Sequence, residues 1–149
     1  MSKVVILYQP RVDFEPHYPC YWAPLSILSV AAVLPPLGVR VIILDGNLAD
    51  DRGDKTILKN NISECVCVGI SSMIGGRQLE RAIEFARFAK SLRADLPVVF
   101  GGPLATVIPE VLITSSLVDF VVVGQGEPTM YELVDNLLTG SNHISRKVG

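Results

Sequence analysis

The chain has 149 residues, of which 49% are hydrophobic and 19% are charged, and its mean hydropathy is +0.40. This composition excludes an intrinsically disordered chain, and the length predicts one domain with a hydrophobic core of its own. The formal net charge is −2 and the isoelectric point is near 5.6, which argues against a nucleic-acid partner.

The first residues carry no signal for secretion, because no charged segment is followed there by a long apolar stretch. The longest nearly apolar run, residues 23–37, contains three prolines and falls short of the roughly 20 apolar residues that a membrane span needs. Three cysteines cannot all pair within one chain, and their spacing matches no zinc or thioredoxin motif. We therefore expect a cytoplasmic protein with reduced thiols and no membrane partner.

The predicted elements alternate between strands and helices. In chain order they are strand 3–8, helix 24–34, strand 39–44, helix 54–62, strand 65–71, helix 78–93, strand 97–100, helix 106–114, strand 119–123 and helix 128–138. The strands are rich in Val and Ile and lack polar alternation, which is typical of a parallel sheet covered on both faces. The pattern predicts a single α/β domain, a flavodoxin-like doubly wound sheet of five parallel strands in the order 2-1-3-4-5. Arg40 in the second strand favours an edge position for that strand.

Two helices carry specific expectations. Pro24 suits the first position of the first helix, and Pro35-Pro36 ends it. Because this helix is apolar on nearly all faces, we expect it to be well buried. Asp54 is expected to cap the second helix.

Ligands of such sheets bind beyond the carboxyl ends of the strands, near the switch point between the first and third strands. Four connections lie there: residues 9–23, 72–77, 101–105 and 124–128. The first connection is long and rich in proline and aromatic residues, which favours a wall for a large flat ligand, although a simple lid over the sheet remains an alternative.

The other three connections carry hydroxyls and glycines. They contain Ser71-Ser72-Met73, Gly101-Gly102-Pro103 and Gly124-Gln125-Gly126-Glu127-Pro128. Glycine lets a ligand lie against the backbone, and hydroxyls either bind a ligand or cap a helix. Each connection alone is ordinary turn chemistry, but three on one sheet edge predict a binding site. The last glycine pair is not a dinucleotide fingerprint, since it follows the last strand and position 129 is Thr.

These motifs resemble the cobalamin-binding domain that precedes the barrel of cobalamin-dependent radical SAM enzymes. The resemblance extends from residue 3 to about residue 138. It rests on Ala23-Pro24-Leu25, Leu44-Asp45-Gly46-Asn47, Val68-Gly69-Ile70-Ser71, the run from Gly101 to Thr106, and the run from Asp119 to Glu127. Similar domains read GGPHAT and GEGE in the last two runs, so Leu104 and Gln125 are departures.

Spacing supports the resemblance. Domains of the wider fold carry Ser-x-Leu after the third strand and Gly-Gly one helix later. Here Ser71-Ser72-Met73 is followed by 27 residues and then Gly101-Gly102, and Met for Leu conserves volume. The cobalt-ligating Asp-x-His-x-x-Gly of methionine synthase-like members is absent from the corresponding stretch, residues 20–25. The resemblance thus implies a base-off cobalamin without a histidine ligand. His17 is an alternative ligand, although an isolated loop histidine more often faces solvent.

The resemblance implies the following cofactor-binding residues. The corrin ring would be faced by Pro10, Tyr21, Trp22, Pro24 and Leu25. The pocket for the displaced nucleotide tail would be lined by Ser71, Ser72 and Met73, and the tail would pass Gly101, Gly102 and Pro103. The tail or the corrin amides would be contacted by Gly124, Gln125, Gly126 and Glu127. No catalytic residue and no protein metal ligand is expected. Asp45 is expected to cap a turn, as Asp-Gly-Asn commonly does.

A radical SAM enzyme also needs an iron–sulfur cluster on a Cys-x-x-x-Cys-x-x-Cys motif, which this sequence lacks. We expect residues 1–140 to be the cobalamin-binding domain and residues 141–149 a linker or tail. The iron–sulfur cluster and S-adenosylmethionine would then belong to a radical SAM domain, in the same longer chain or in a separate one. Whether the chain has enzymatic activity is left open. The alternative is a vestigial domain that has lost the cofactor and serves as a docking unit.

Overall fold

The computed structural model describes residues 2–13, 23–48, 51–73, 76–141 and 145–148. The elements are β1 (Val4–Gln9), α1 (Leu25–Val33), a 3₁₀ turn (Pro35–Leu37), β2 (Arg40–Asp45), α2 (Asp51–Asn61), β3 (Cys65–Ser71), α3 (Arg77–Leu92), β4 (Val98–Gly101), α4 (Gly102–Val107), α5 (Pro109–Leu112), β5 (Phe120–Val122), α6 (Gly126–Thr139) and β6 (Lys147–Val148). None of the helices in these ranges is both long and apolar enough to cross a membrane.

All strand pairs are parallel, and the sheet order is β2-β1-β3-β4-β5 followed by β6. The predicted flavodoxin-like order is therefore confirmed. The edge position expected for the second strand is also found, and Arg40 there donates from Nη2 to Oδ1 of Asn61 at 2.7 Å. β6 is an addition, because its two residues lie in the segment that we expected to be a linker. The predicted boundary near residue 140 stays a prediction.

Alternating side chains of the central strands fill two separate cores. One face, under α2 to α5, buries Ile6, Tyr8, Val68, Ile70 and Phe100, and the Tyr8 and Phe85 rings stack there with centroids 4.2 Å apart. The other face, under α1 and α6, buries side chains such as those of Leu7, Val99 and Val122 against Ile27 and Met130. Both faces of the sheet are covered, as the absence of polar alternation predicts.

The expectation that α1 is well buried is wrong. Only Ile27 of this helix is fully buried, while Leu25 is 70% exposed and Leu28 is 41% exposed. The reason is that α1 packs on the sheet and on α6 with one side only, and no described element covers its outer side. Apolar composition all round a helix thus did not decide its burial here.

The expectation that Asp54 caps the second helix is also wrong. α2 begins at Asp51, so Asp54 lies one turn inside the helix and is only 1% exposed. It lies close to the sheet on the side of Tyr8. Burial, followed by the Asp54 carboxylate, raises the pKa of the Tyr8 phenol well above its ordinary value.

Like α2, the helices α4 and α6 begin earlier than predicted, and α3 begins one residue early. α4 begins at Gly102, directly after β4, and the chain is interrupted at Ile108 before Pro109 opens α5. α6 begins at Gly126, inside the predicted connection 124–128. As a result, the glycines of these connections lie at helix N-termini, where backbone amides lack intrahelical partners.

Candidate functional site

A cavity of about 290 Å³ opens at the carboxyl ends of the central strands, on the face covered by α1 and α6. Its wall consists of Leu7, Ser26, Ile27, Val30, Gly69, Ile70, Ser71, Val99, Gly101, Gly102, Pro103, Val122, Gly124, Gln125, Gly126, Glu127 and Met130. This is the edge of the sheet where ligands of doubly wound folds bind.

Gly69 keeps the floor of the cavity free. A Cβ at this position would lie 2.8 Å from Cδ2 of Leu7 and 3.6 Å from Cε of Met130. Glycine inside a strand often marks a close approach of a ligand or of another backbone. Any larger residue at position 69 would push on Leu7 and fill the space between the sheet and α6.

Gly102 has a φ of +86° and forms the rim between β3 and β4. A Cβ there would lie 2.7 Å from Oγ of Ser71 and 2.9 Å from the carbonyl oxygen of Ser72. Glycine is required for both reasons, since L-residues rarely adopt this φ and no space exists for a side chain. The second glycine of the Gly-Gly pair therefore packs directly on the serines that follow β3.

Ser71 supplies a buried hydroxyl on the wall of the cavity. The residue is 6% exposed, and its Oγ lies 3.1 Å from Oγ of Ser26, which projects from the first turn of α1. The pair links the helix over the cavity to the strand below it. Ser26 was not predicted as a site residue.

Eight of the sequence-predicted site residues come together on the cavity wall. They are Ser71, Gly101, Gly102, Pro103, Gly124, Gln125, Gly126 and Glu127. Pro10, Pro24, Leu25, Ser72 and Met73 are absent from the wall, and Tyr21 and Trp22 lie outside the described residues, as do His17 and Cys20. Pro24 instead lines a second groove beside β2, and Leu25 is exposed on the first turn of α1.

Ser72, Met73 and Pro10 are held together by Gln78 at the start of α3. Gln78 is 6% exposed; its Nε2 donates to the carbonyl oxygen of Pro10 at 3.1 Å, and its Oε1 accepts from the Met73 amide at 2.9 Å. The Ser72 hydroxyl lies 3.5 Å from the same Oε1, and Ser72 is fully buried. These residues therefore fix the connections after β1 and β3 from behind the cavity.

The connection after β1 is anchored at two further points. Asp45 caps a turn as expected, because its Oδ1 accepts from the Asn47 amide at 2.9 Å, and Oδ1 of Asn47 then accepts from the Val12 amide at 3.2 Å. Asp13 receives a hydrogen bond from Nη1 of Arg81 at 3.0 Å. This bond, assisted by the nearby positive charge, lowers the pKa of the Asp13 carboxyl below its ordinary value.

The sequence reading missed the apolar half of the cavity. The missed residues are Leu7, Ser26, Ile27, Val30, Gly69, Ile70, Val99, Val122 and Met130. Gly69 had a usable signal, because it lies two residues before Ser71 on a strand and must share its face. Ser26 and Met130 had none, since their place depends on how α1 and α6 pack.

The wall is suited to binding a ligand and carries few side chains that could take part in catalysis. Its polar side chains are two serines, one glutamine and one glutamate, and eight apolar side chains complete the wall beside the glycines. Among the described residues, no three His, Cys, Asp or Glu side chains converge as a metal site would require. An open apolar cavity with glycine at its floor and rim suits a flat aromatic group carried by a larger ligand.

Solved structures with a similar fold exist. The chain superposes with a TM-score of 0.77 on the structure of the radical S-adenosylmethionine methyltransferase TsrM from Kitasatospora setae with cobalamin and a [4Fe-4S] cluster bound, with 25% identity. The superposed region covers 96% of this chain and 26% of the TsrM chain. The structure of the same enzyme with tryptophan substrate and the SAM analogue aza-SAM gives a TM-score of 0.76 and 25% identity, covering 95% and 27% of the two chains. The chain thus spans about a quarter of the length of these proteins.

No curated protein sequence is significantly similar to this chain. The family described as the B12 binding domain matches residues 17–134, which include β2 to β5, the rim glycines and the first half of α6. This match covers more than half of the chain and agrees with the resemblance found in the sequence. The chain belongs to the B12-binding domain family.

Proposed function

We propose that this chain binds cobalamin in the base-off form, with the nucleotide tail in the cavity, and presents the corrin ring to a radical SAM domain for methyl transfer to a substrate radical. The single observation that carries the proposal is the cavity itself. It opens at the sheet edge where the family match and the rim glycines coincide.

The residues present fit this cofactor. Gly69 and Gly102 leave no side chain between the sheet and an incoming group, and the apolar wall under α1 and α6 suits an aromatic base. No protein metal ligand is needed, since the corrin holds its own cobalt. Cobalamin supplies, when bound, a cobalt centre that carries and releases a methyl group.

We assign the roles of this chain's residues by position. Ser71 would donate a hydrogen bond to the base, while Gly101, Gly102 and Pro103 would border the path of the tail. The start of α6, from Gly124 to Glu127, would contact the tail or the corrin amides, because the first backbone amides of a helix have no intrahelical partner. Tyr21, Trp22, Pro24 and Leu25 would face the ring. Pro10, Ser72 and Met73 would act from behind the cavity by fixing its rim.

The partner in this proposal is a radical SAM domain that holds the iron–sulfur cluster and S-adenosylmethionine. TsrM provides the support, because it is a radical S-adenosylmethionine methyltransferase that is nearly four times as long as the matched region. We propose the same division here, with residues 1–140 as the cofactor domain. The chain's own contribution would be to hold and shield the cofactor.

Gly101 offers a direct test of the cavity. Its φ of −140° is open to any residue, and a Cβ there would meet only Cβ of Val122 at 3.9 Å. Gly101→Val should therefore fill the cavity while the fold remains stable. Ala32→Val, on an exposed position of α1, is the matched control.

The measurement is retention of hydroxocobalamin on gel filtration, followed by its visible spectrum. We expect the wild-type chain and Ala32→Val to co-elute with cobalamin in a base-off spectrum, and Gly101→Val to lose most of it at an unchanged melting temperature. Cobalamin that elutes free from the wild-type chain would refute the proposal. That result would favour the alternative, a vestigial docking domain, which the departures at Leu104 and Gln125 motivate.

A further inference from the structure

We propose that two copies of this chain associate through the open edge of the sheet, with their β2 strands paired antiparallel about a two-fold axis. The inference does not rest on the proposed function, because no described residue of β2 or α2 lines the cavity. It gives the second groove, beside β2, an occupant: the same edge of another copy.

The edge strand itself is poorly protected against pairing. In the described sheet β2 pairs with β1 alone, so one side of its six-residue backbone has no strand partner. Proteins commonly protect such an edge with charged side chains, proline or a bulge. β2 has charged side chains only at its two ends, Arg40 and Asp45, and the four residues between them are Val, Ile, Ile and Leu. The middle of the strand can therefore accept another strand.

Exposed apolar side chains flank this edge. The groove beside β2 has a volume of about 390 Å³ and draws residues from α1, β2, α2 and the turn between β2 and α2. Eight large hydrophobic side chains are exposed in the described part of the chain, and half of them line this groove. A concentration of exposed apolar side chains in one place is typical of a protein–protein interface. The four are Leu28, Ile43, Leu48 and Ile57.

The two faces of the edge match themselves across a two-fold axis perpendicular to the sheet. Ile43 is paired with Leu7, so its side chain lies on the face covered by α1, where Leu28 borders the groove. Ile57 borders the groove from α2, on the other face. A perpendicular two-fold axis brings each face against the same face of the second copy, so apolar side chains meet apolar side chains on both.

The charges along the edge favour a second copy in the antiparallel direction. β2 begins at Arg40, whose guanidinium is bonded to the last residue of α2, Asn61, and Lys59 lies in the same last turn. β2 ends at Asp45, and α2 begins at Asp51. One end of the edge is therefore basic and the other acidic. Antiparallel pairing places the basic end of each copy beside the acidic end of the other.

The other charges of α2 leave this pattern in place. Asp54 and Arg52, both in the first turn, offset each other at the acidic end. Lys55 lies over the Phe88 ring of α3 at 5.8 Å and so is directed away from the edge. A parallel association would instead place like charges together, which destabilises paired strands. The edge is thus complementary to itself in one direction only.

The first test is the mass of the chain in solution, measured by sedimentation equilibrium from about 1 µM to about 500 µM. We expect the mass to rise from 16.2 kDa toward twice that value. Ile43→Lys, which places like charges at the centre of the pairing, should raise the dissociation constant about tenfold or more. Val111→Lys, at a 63% exposed position of α5, is the matched control and should change nothing. A wild-type chain that stays at 16.2 kDa throughout would overturn the proposal.

A charge exchange tests the direction of pairing. Arg40→Asp and Asp51→Arg should each weaken the dimer about threefold to tenfold, because each puts like charges at both ends of the interface. Together in one chain, the two substitutions restore opposite charges and should recover most of the affinity. Losses that simply add in the double variant would contradict the antiparallel arrangement.

Hydrogen exchange tests whether the backbone edge itself is used. The Arg40 amide donates to the carbonyl oxygen of Lys3 in β1 at 2.8 Å, and amides alternate along a strand, so those of Val41 and Ile43 point outward. Both should exchange more slowly as the protein concentration rises, while the inward amide of Ile42 serves as the control. A dimer in which these two amides keep their exchange rates would refute pairing through β2.

Discussion

At the scale of single residues, Gly102 has the tightest requirement of the rim glycines. Its φ of +86° and the 2.7 Å approach to Oγ of Ser71 act together, whereas Gly140 at the end of α6 has a φ of +72° in open space. A substitution at Gly140 therefore tests the positive φ alone, and a substitution at Gly102 tests the positive φ together with the lack of space. Ala at either position should lower the free energy of unfolding, but by different amounts.

We predict that Gly140→Ala lowers the free energy of unfolding by about 1 kcal/mol, from the positive φ alone. Gly102→Ala should cost about 3 kcal/mol or more, since the chain must also move the two serines after β3. Urea denaturation of both variants measures the difference. Equal losses would mean that the packing on Ser71 relaxes freely.

The buried thiol of Cys65 makes a prediction about pH. Burial raises its pKa from the ordinary 9.0 to about 11, although the Arg93 guanidinium opposes this. Between these values the unfolded thiol ionises and the folded thiol does not. The folded state binds more protons there, so its stability falls as pH rises.

The contribution of Cys65 to this fall should be about 1 kcal/mol between pH 9 and pH 10. Urea denaturation of the wild-type chain and of Cys65→Ala across this range measures it. The stability difference between the two should shrink by that amount at the higher pH. Parallel curves would show that Cys65 does not titrate as its burial implies.

At the scale of elements, Gln78 joins three parts of the chain. Through one side chain, α3 holds the connections after β1 and β3, with Pro10 and Met73 as its partners. A carboxylate at position 78 could still accept from the Met73 amide but could not donate to Pro10. A protonated carboxyl could do both.

We therefore predict that Gln78→Glu loses about 1–3 kcal/mol of stability at pH 8 and regains much of it below about pH 5. The buried carboxyl has a raised pKa in the folded state, so its stabilising form exists at low pH and is lost as pH rises. Gln78→Ala, which cannot titrate, should show no such recovery. Denaturation at both pH values, relative to the wild-type chain, distinguishes the two.

The sequence predicted which strands and helices exist and the order of the strands in the sheet. It predicted the first residues of the helices less accurately. The third strand was predicted at its observed bounds, and all five predicted strands are found in the predicted order. The starts of α4 and α6 were predicted too late, because glycines such as Gly102 and Gly126 are typical of loops. Helix propensity places glycine outside helices, but here the close approach to β3 requires it at position 102, and a Cβ at position 126 would lie 3.1 Å from Cγ2 of Val30 in α1.

At the scale of the whole molecule, β6 tests where the domain ends. The Val121 amide donates to the carbonyl oxygen of Arg146 at 2.8 Å, and Nη2 of Arg146 donates to the carbonyl oxygen of Val118 at 2.7 Å. These bonds hold the last described segment against β5. Val121 directly precedes Val122, which lines the cavity.

We predict that removing residues 141–149 leaves a folded chain with a loss of about 1–3 kcal/mol, the sum of a few hydrogen bonds. Hydrogen exchange of the Val121 amide should accelerate, while amides of β1 and β3 stay protected. Arg146→Ala removes only the hydrogen bonds of the guanidinium. Its stability should therefore lie between that of the wild-type chain and that of the truncated chain. An unfolded truncated chain would place β6 within the minimal domain and contradict the boundary at 140.

The sequence by itself determined the fold, the strand order and the polar rim of the cavity. Those features depend on local patterns: Val- and Ile-rich runs, helical periodicity, and glycines and serines where strands end. Tertiary structure alone decided the depth and the apolar wall, because Leu7, Val30 and Met130 reach the cavity from three distant elements. It also decided that α1 is half exposed, since burial depends on the neighbours that a helix meets and not on its own composition.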